Sequence, residues 1–120
     1  MKILIIGGNR FVGKLVAKQL SKLDNISVTL INRSGTGPNN CVLIKCDRNT
    51  KEFKRQLKII APDIVIDMCL YNLTQYHSLE PLLKQLNLKK YIFISSIASK
   101  FKSFGDYGEQ KGLLECLIKK

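Results

Sequence analysis

The sequence predicts an α/β domain built on a doubly wound parallel sheet of about five strands, with helices on both faces. Two observations predict it. Short runs rich in Ile, Val and Leu alternate with stretches whose apolar residues recur at three- and four-residue spacing, which is the β-α-β pattern of a parallel sheet. The first of these runs leads at once into Gly7-Gly8-Asn9-Arg10-Phe11-Val12-Gly13, a glycine-bearing turn placed between a buried strand and a helix.

Lys2 to Ile6 reads as that buried strand. Phe11, Val12, Leu15, Val16, Leu20 and Leu23 mark the apolar face of the helix that follows, expected to pack on the sheet. Ser27 to Asn32 is the second strand, and the turn formers of Ser34-Gly35-Thr36-Gly37-Pro38-Asn39-Asn40 separate it from a third at Val42 to Cys46. Asn49 with Glu52 resembles a capping box for a helix with Phe53, Leu57 and Ile60 on its apolar face, ended by Pro62. Asp63 to Met68 is the fourth strand. Leu79, Leu82, Leu83 and Leu86 mark a helix for which Ser78 is a plausible cap, with Pro81 tolerated in the first turn. Tyr91 to Ser95 is the fifth strand. Leu113, Leu114, Leu117 and Ile118 belong to a last helix, whose negative end suits Lys119 and Lys120.

At 120 residues the chain has room for one core. The apolar run after Lys2 is too short for a signal peptide or a membrane span, so a cytoplasmic protein without membrane attachment is expected. Cys41, Cys46, Cys69 and Cys116 form no Cys-x-x-Cys pair and have no histidine cluster nearby; reduced, mostly buried thiols are expected, with no metal site. The lone His77 reads as a surface or helix-start residue. Net charge is +11, but the basic residues are mostly Lys and scattered over nearly every element. That is the pattern of a solvated surface and makes nucleic acid an unlikely partner.

The glycine turn carries the chemistry. A strand that turns straight into a helix directs backbone N–H groups and the positive helix end at one spot, where a pyrophosphate is stabilised. Gly7 and Gly8 allow close approach, and Gly13 suits tight helix-to-strand packing. Asn9, Arg10, Phe11 and Val12 complete the loop. At the end of the second strand, where a carboxylate would hold the adenosine ribose of NAD, stand Asn32 and Arg33. With Arg10 near, two guanidiniums could flank a 2′-phosphate, which favours NADP over NAD as cofactor; Arg33 also fits a plain solvated cation. Met68 to Tyr71 follow the fourth strand, where they either line the cofactor pocket or pack.

Six segments together carry a resemblance to a family: Gly7 to Gly13, Ile31-Asn32-Arg33, Cys46-Asp47-Arg48, Asp63 to Asp67, Tyr91 to Ser96, and Tyr107-Gly108-Glu109-Gln110-Lys111. In this order they resemble the Rossmann-type N-terminal part of the NAD-dependent epimerase/dehydratases, the extended and atypical short-chain dehydrogenase/reductases. The best match is the subgroup with Gly-Gly-x-Arg-Phe-x-Gly. The resemblance implies that Asp47 touches adenine, though an aspartate after a strand also serves as a turn former. It further implies a catalytic set of Ser96, Tyr107 and Lys111. Residues i and i+4 share a helix face, so Lys111 would sit near the Tyr107 phenol and favour its phenolate; Ser96, in preference to Ser95, would orient the substrate oxygen.

Relatives continue beyond five strands into a substrate-binding lobe, which residues 1–120 lack. Two functions therefore stand side by side: NAD(P)-dependent hydride transfer on a sugar nucleotide or similar carbonyl compound, and a non-catalytic cofactor-binding module that needs a partner chain. An open edge at the fifth strand would suit such a chain or a second copy.

Overall fold

The computed structural model describes residues 1–8, 11–100 and 105–118, with only the backbone of Ile97 and Ala98. Asn9, Arg10, Lys119 and Lys120, on which expectations were placed, lie outside the described residues. Five strands form one parallel sheet: β1 (Lys2–Ile6), β2 (Ser27–Asn32), β3 (Val42–Lys45), β4 (Ile64–Asp67) and β5 (Lys90–Phe93). Their order is β3-β2-β1-β4-β5. The chain thus runs outward from β1 in one direction, returns, and runs outward in the other. The register brings Ile44, Ile31, Ile6, Asp67 and Phe93 into one row across the sheet, so the carboxyl ends of all five strands open on one edge.

Helix α1 (Phe11–Leu20) covers one face, over Ile3, Ile5, Val28, Leu30 and Ile66. The other face, with Leu4, Ile6, Ile31 and Val65, carries α2 (Lys51–Ile60) through Phe53 and Leu57 and α3 (Leu73–Gln85) through Leu79 and Leu82. A short 3-10 turn at Ile97–Lys100 precedes α4 (Gly105–Ile118), which packs on that turn and on α3. Central strands are buried on both faces, which is why β1, β2 and β4 read as continuous apolar runs.

Three local expectations are corrected. The face that α1 turns to the sheet is Gly13 and Ala17, with Val16 and Leu20 half-buried; Phe11, Val12, Leu15 and Leu23 are exposed. An ideal Cβ on Gly13 would lie 2.9 Å from the Gly8 Cα, so the helix start is too close to the strand end for anything larger. Second, α2 is capped by Thr50, not Asn49: its side chain accepts from the Phe53 N–H at 3.3 Å. Glu52 turns away to Arg55 and Gln56, so no capping box forms. Thr50→Ala should cost about 1 kcal/mol in urea denaturation, and Asn49→Ala clearly less. Third, α3 begins one and a half turns earlier than its leucines suggest. Asn72 caps it by accepting from the Gln75 N–H at 2.9 Å, which leaves Ser78 and Pro81 inside the helix.

Of the thiols, Cys46 is buried, Cys41 and Cys69 are half-buried and Cys116 is exposed. His77 lies on the exposed side of α3, 3.9 Å from Glu80. No helix among the described residues is long and apolar enough to cross a membrane.

Candidate functional site

The direction of winding reverses between β1 and β4, and at such a switch point the connections diverge and leave a crevice beyond the strand ends. Here the crevice has a volume of about 660 Å³. Its wall collects residues far apart in the sequence: Gly7, Phe11, Val12 and Gly13 from the glycine turn, Asn32 and Arg33 after β2, Asp47 after β3, and Met68 after β4. Arg48, Cys69, Tyr71 and Gln75 are also among its lining residues.

Each glycine of the turn answers to a neighbour. Gly7 has a positive φ of 82°, and a Cβ there would meet the Cys69 Sγ at 2.8 Å. Its N–H donates to the Ile31 carbonyl at 2.8 Å, which fastens the turn to β2. Gly8 lies behind the crevice wall, where a Cβ would fall 2.6 Å from the Ile5 Cγ2. Among the described residues, Gly7 and Gly13 thus present backbone without a Cβ to the crevice, at positions set by internal packing. Phe11, the first helical residue, has φ of 46° and is 91% exposed at this site, a conformation uncommon outside glycine.

Asn32 serves the loop after β2. Its Oδ1 accepts from the Gly35 N–H at 2.6 Å and the Thr36 N–H at 3.2 Å, and its Nδ2 donates to the Thr36 carbonyl at 2.7 Å. The amide thus shapes the rim of the crevice, beside the exposed Arg33. Asp47 makes a similar local turn by accepting from the Asn49 N–H at 2.8 Å.

The most constrained polar group was not anticipated. Asp67 is fully buried at the end of β4 and takes both ends of the Arg48 guanidinium, at 2.7 and 3.0 Å. The Tyr91 hydroxyl donates to the same carboxylate at 2.7 Å, and the Phe53 ring lies 5.9 Å from the guanidinium carbon. Burial opposes the Arg48 charge, but Asp67 outweighs it and leaves Arg48 more firmly protonated than usual. Burial and the neighbouring carboxylate also push the Tyr91 phenol upward. Among the described residues no buried side-chain polar atom lacks a partner.

At the other end of the crevice Lys111 is 2% exposed. Its ammonium donates to the Leu70 carbonyl at 2.6 Å and the Ile94 carbonyl at 3.2 Å. The rings of Phe93, Tyr71 and Tyr107 surround it, with centres at 4.8, 5.3 and 5.8 Å. Burial lowers its pKa. Tyr107 is 44% exposed and stacks at a tilt on Tyr71, 6.3 Å between centres, so α4 adjoins the crevice at that ring. Ser96 follows β5, and its carbonyl accepts from the Ser99 N–H at 3.0 Å. Ser96, Tyr107 and Lys111 do not line the crevice itself; Tyr107 and Lys111 adjoin it at the Tyr71 ring.

No protein-family model matches this sequence, and no curated protein matches it. Solved structures do. An oxidoreductase from Lactococcus lactis is similar over the whole chain with a TM-score of 0.80 at 23% identity. The fold is a Rossmann fold. A UDP-glucose 4-epimerase from Thermotoga maritima matches over 99% of the chain (TM-score 0.81, 17% identity). A UDP-glucuronic acid 4-epimerase from Bacillus cereus, solved in complex with NAD, matches over 98% (TM-score 0.80, 20% identity). This Rossmann chain spans 64% of the first of these and 50% of each epimerase.

Proposed function

We propose that this chain binds a nicotinamide dinucleotide across the switch-point crevice, with NADP preferred over NAD. The carrying observation is that Gly7, Val12, Gly13, Asn32, Arg33, Asp47 and Met68 meet around one space. The Bacillus epimerase, alike in fold, is a complex with NAD, which supports the ligand class. Preference for NADP follows from the rim: Asn32 places a neutral amide, spent on its own loop, at the end of β2, and Arg33 adds a cation beside it. No carboxylate at Asn32 repels a 2′-phosphate. The free thiols of Cys41, Cys46, Cys69 and Cys116 suit a reducing cytoplasm.

Bound, the dinucleotide supplies a hydride donor or acceptor. The chain would contribute the Ser96 hydroxyl and the Tyr107 phenol toward a carbonyl oxygen of a sugar nucleotide or similar compound. Lys111 has three donor hydrogens, two of which serve Leu70 and Ile94. The second reading is a cofactor-binding module without turnover, completed by another chain. It is favoured by the commitment of Lys111 to backbone carbonyls and by the position of β5 as an edge of the sheet.

Titration with NADPH and NADH, followed by dihydronicotinamide fluorescence, tests the proposal. Binding of neither at millimolar concentration overturns it. Arg33→Ala should weaken NADPH about tenfold or more, the scale of one charge-assisted hydrogen bond, and leave NADH within about twofold.

A further inference from the structure

Tyr71 lines the crevice from the loop after β4 and is 48% exposed. A side chain that open to solvent ordinarily turns freely. This one sits on a backbone held at every step. Its own N–H donates to the Gln75 Oε1 at 2.9 Å, and the Gln75 Nε2 donates to the Asn49 Oδ1 at 3.2 Å, which ties the loop to the one after β3. Just before it, the Leu70 carbonyl accepts from the Lys111 ammonium; just after it, the Leu73 N–H donates to the Gln110 Oε1 at 3.0 Å.

The ring has partners of its own on α4. The Lys111 ammonium lies 5.3 Å from its centre, and the Tyr107 ring packs on it at a tilt of 48°, 6.3 Å between centres. These contacts take one side of the ring and leave the rest bordering the crevice. Fixing a half-uncovered side chain costs conformational entropy without the full gain of burial. Once it is fixed, a flat ring laid on the uncovered part would bury apolar area on both partners with little further ordering, which is the condition for a preorganised contact.

We propose that Tyr71 is a specificity-determining residue for the reactive ring of the dinucleotide: the uncovered part of its ring packs against the nicotinamide where the crevice adjoins α4. This rests on the dinucleotide reading and deepens it. Position in the sheet decides which of the two ligand rings is meant. Asp47, assigned to adenine, follows β3, and β2 and β1 stand between that strand and β4. Tyr71 follows β4 and adjoins Tyr107 and Lys111, the pair assigned to the reacting end. Among the described residues the Tyr71 hydroxyl makes no hydrogen bond, so the aromatic ring is what the site uses.

The test uses the full chain with Tyr71→Ala and Tyr71→Phe, probed with NADPH and with adenosine 2′,5′-bisphosphate, which lacks the nicotinamide. Tyr71→Ala should keep bisphosphate affinity within about twofold, lose about tenfold in NADPH affinity, and lose most of the emission enhancement of bound NADPH. Tyr71→Phe, which keeps the ring and drops the hydroxyl, should recover most of both. Unchanged NADPH affinity and emission in Tyr71→Ala would overturn the assignment. So would an equal loss of both ligands, which places the contact elsewhere than the nicotinamide, or a Tyr71→Phe variant as weak as Tyr71→Ala. Wild-type protein that binds neither ligand would overturn the dinucleotide reading itself and the role given to Tyr71, and this is seen before any substitution is made.

Discussion

Asp67→Ala is expected to destabilise the fold by about 3–5 kcal/mol, because it strands the buried Arg48 guanidinium without its counter-charge. The Tyr91 hydroxyl loses its acceptor in the same stroke. A domain of this size is stable by about 5–15 kcal/mol in total, so the variant should lie near the edge of folding. Urea denaturation measures the loss. Arg48→Met with Asp67→Leu, which removes both charges and keeps apolar volume, should recover much of it, since a buried pair costs more to break than to delete. A single Asp67→Ala variant with an unshifted midpoint would mean that water reaches Arg48 and that the pair is not buried as described.

Gly13→Ala should be a damaging small change at the crevice. The added Cβ would meet the Gly8 Cα at 2.9 Å and its carbonyl carbon at 3.3 Å. Both are backbone atoms, so no rotamer change relieves the contact and α1 must move away from β1. Overpacking of this kind costs about 1–3 kcal/mol. Displacing the helix also shifts the Phe11 and Val12 wall of the crevice, so NADPH affinity should fall at least about tenfold. Denaturation and a fluorescence titration on one sample separate the two losses. Gly8→Ala should be damaging as well: its Cβ would fall 2.6 Å from the Cγ2 of Ile5, a branched side chain fully buried in the core.

The order of elements was legible in the sequence because central parallel strands are buried on both faces and leave long apolar runs. The glycine turn was legible because its spacing records a backbone need. The apolar stripe of α1 misled because its sheet-facing side is Gly13 and Ala17, small residues that add little to a hydrophobic pattern, while Phe11 and Leu15 point outward. The start of α3 was missed because Leu73 to Ser78 are largely polar and half-exposed; Asn72 was the available signal. That the ends of β1, β2, β3 and β4 would bring Gly7, Asn32, Arg33, Asp47 and Met68 to one crevice was legible, since loops after successive parallel strands must converge on one edge. The Arg48–Asp67–Tyr91 group was not, because its members are 19 and 24 residues apart: the register of β4 and β5 brings Tyr91 to Asp67, and the loop after β3 brings Arg48. An aspartate inside the apolar run Ile64–Asp67 was the one hint, since a buried charge demands a partner.

The grip of Lys111 on the carbonyls of Leu70 and Ile94 acts as a rivet through α4. Any sliding of that helix along the sheet would strip both bonds from a cation shut away from water, so drift of Tyr107 is resisted by electrostatics as well as by packing. Helix and strand tips should consequently loosen as a unit, and slow amide exchange in α4 should be lost together with that at the ends of β4 and β5.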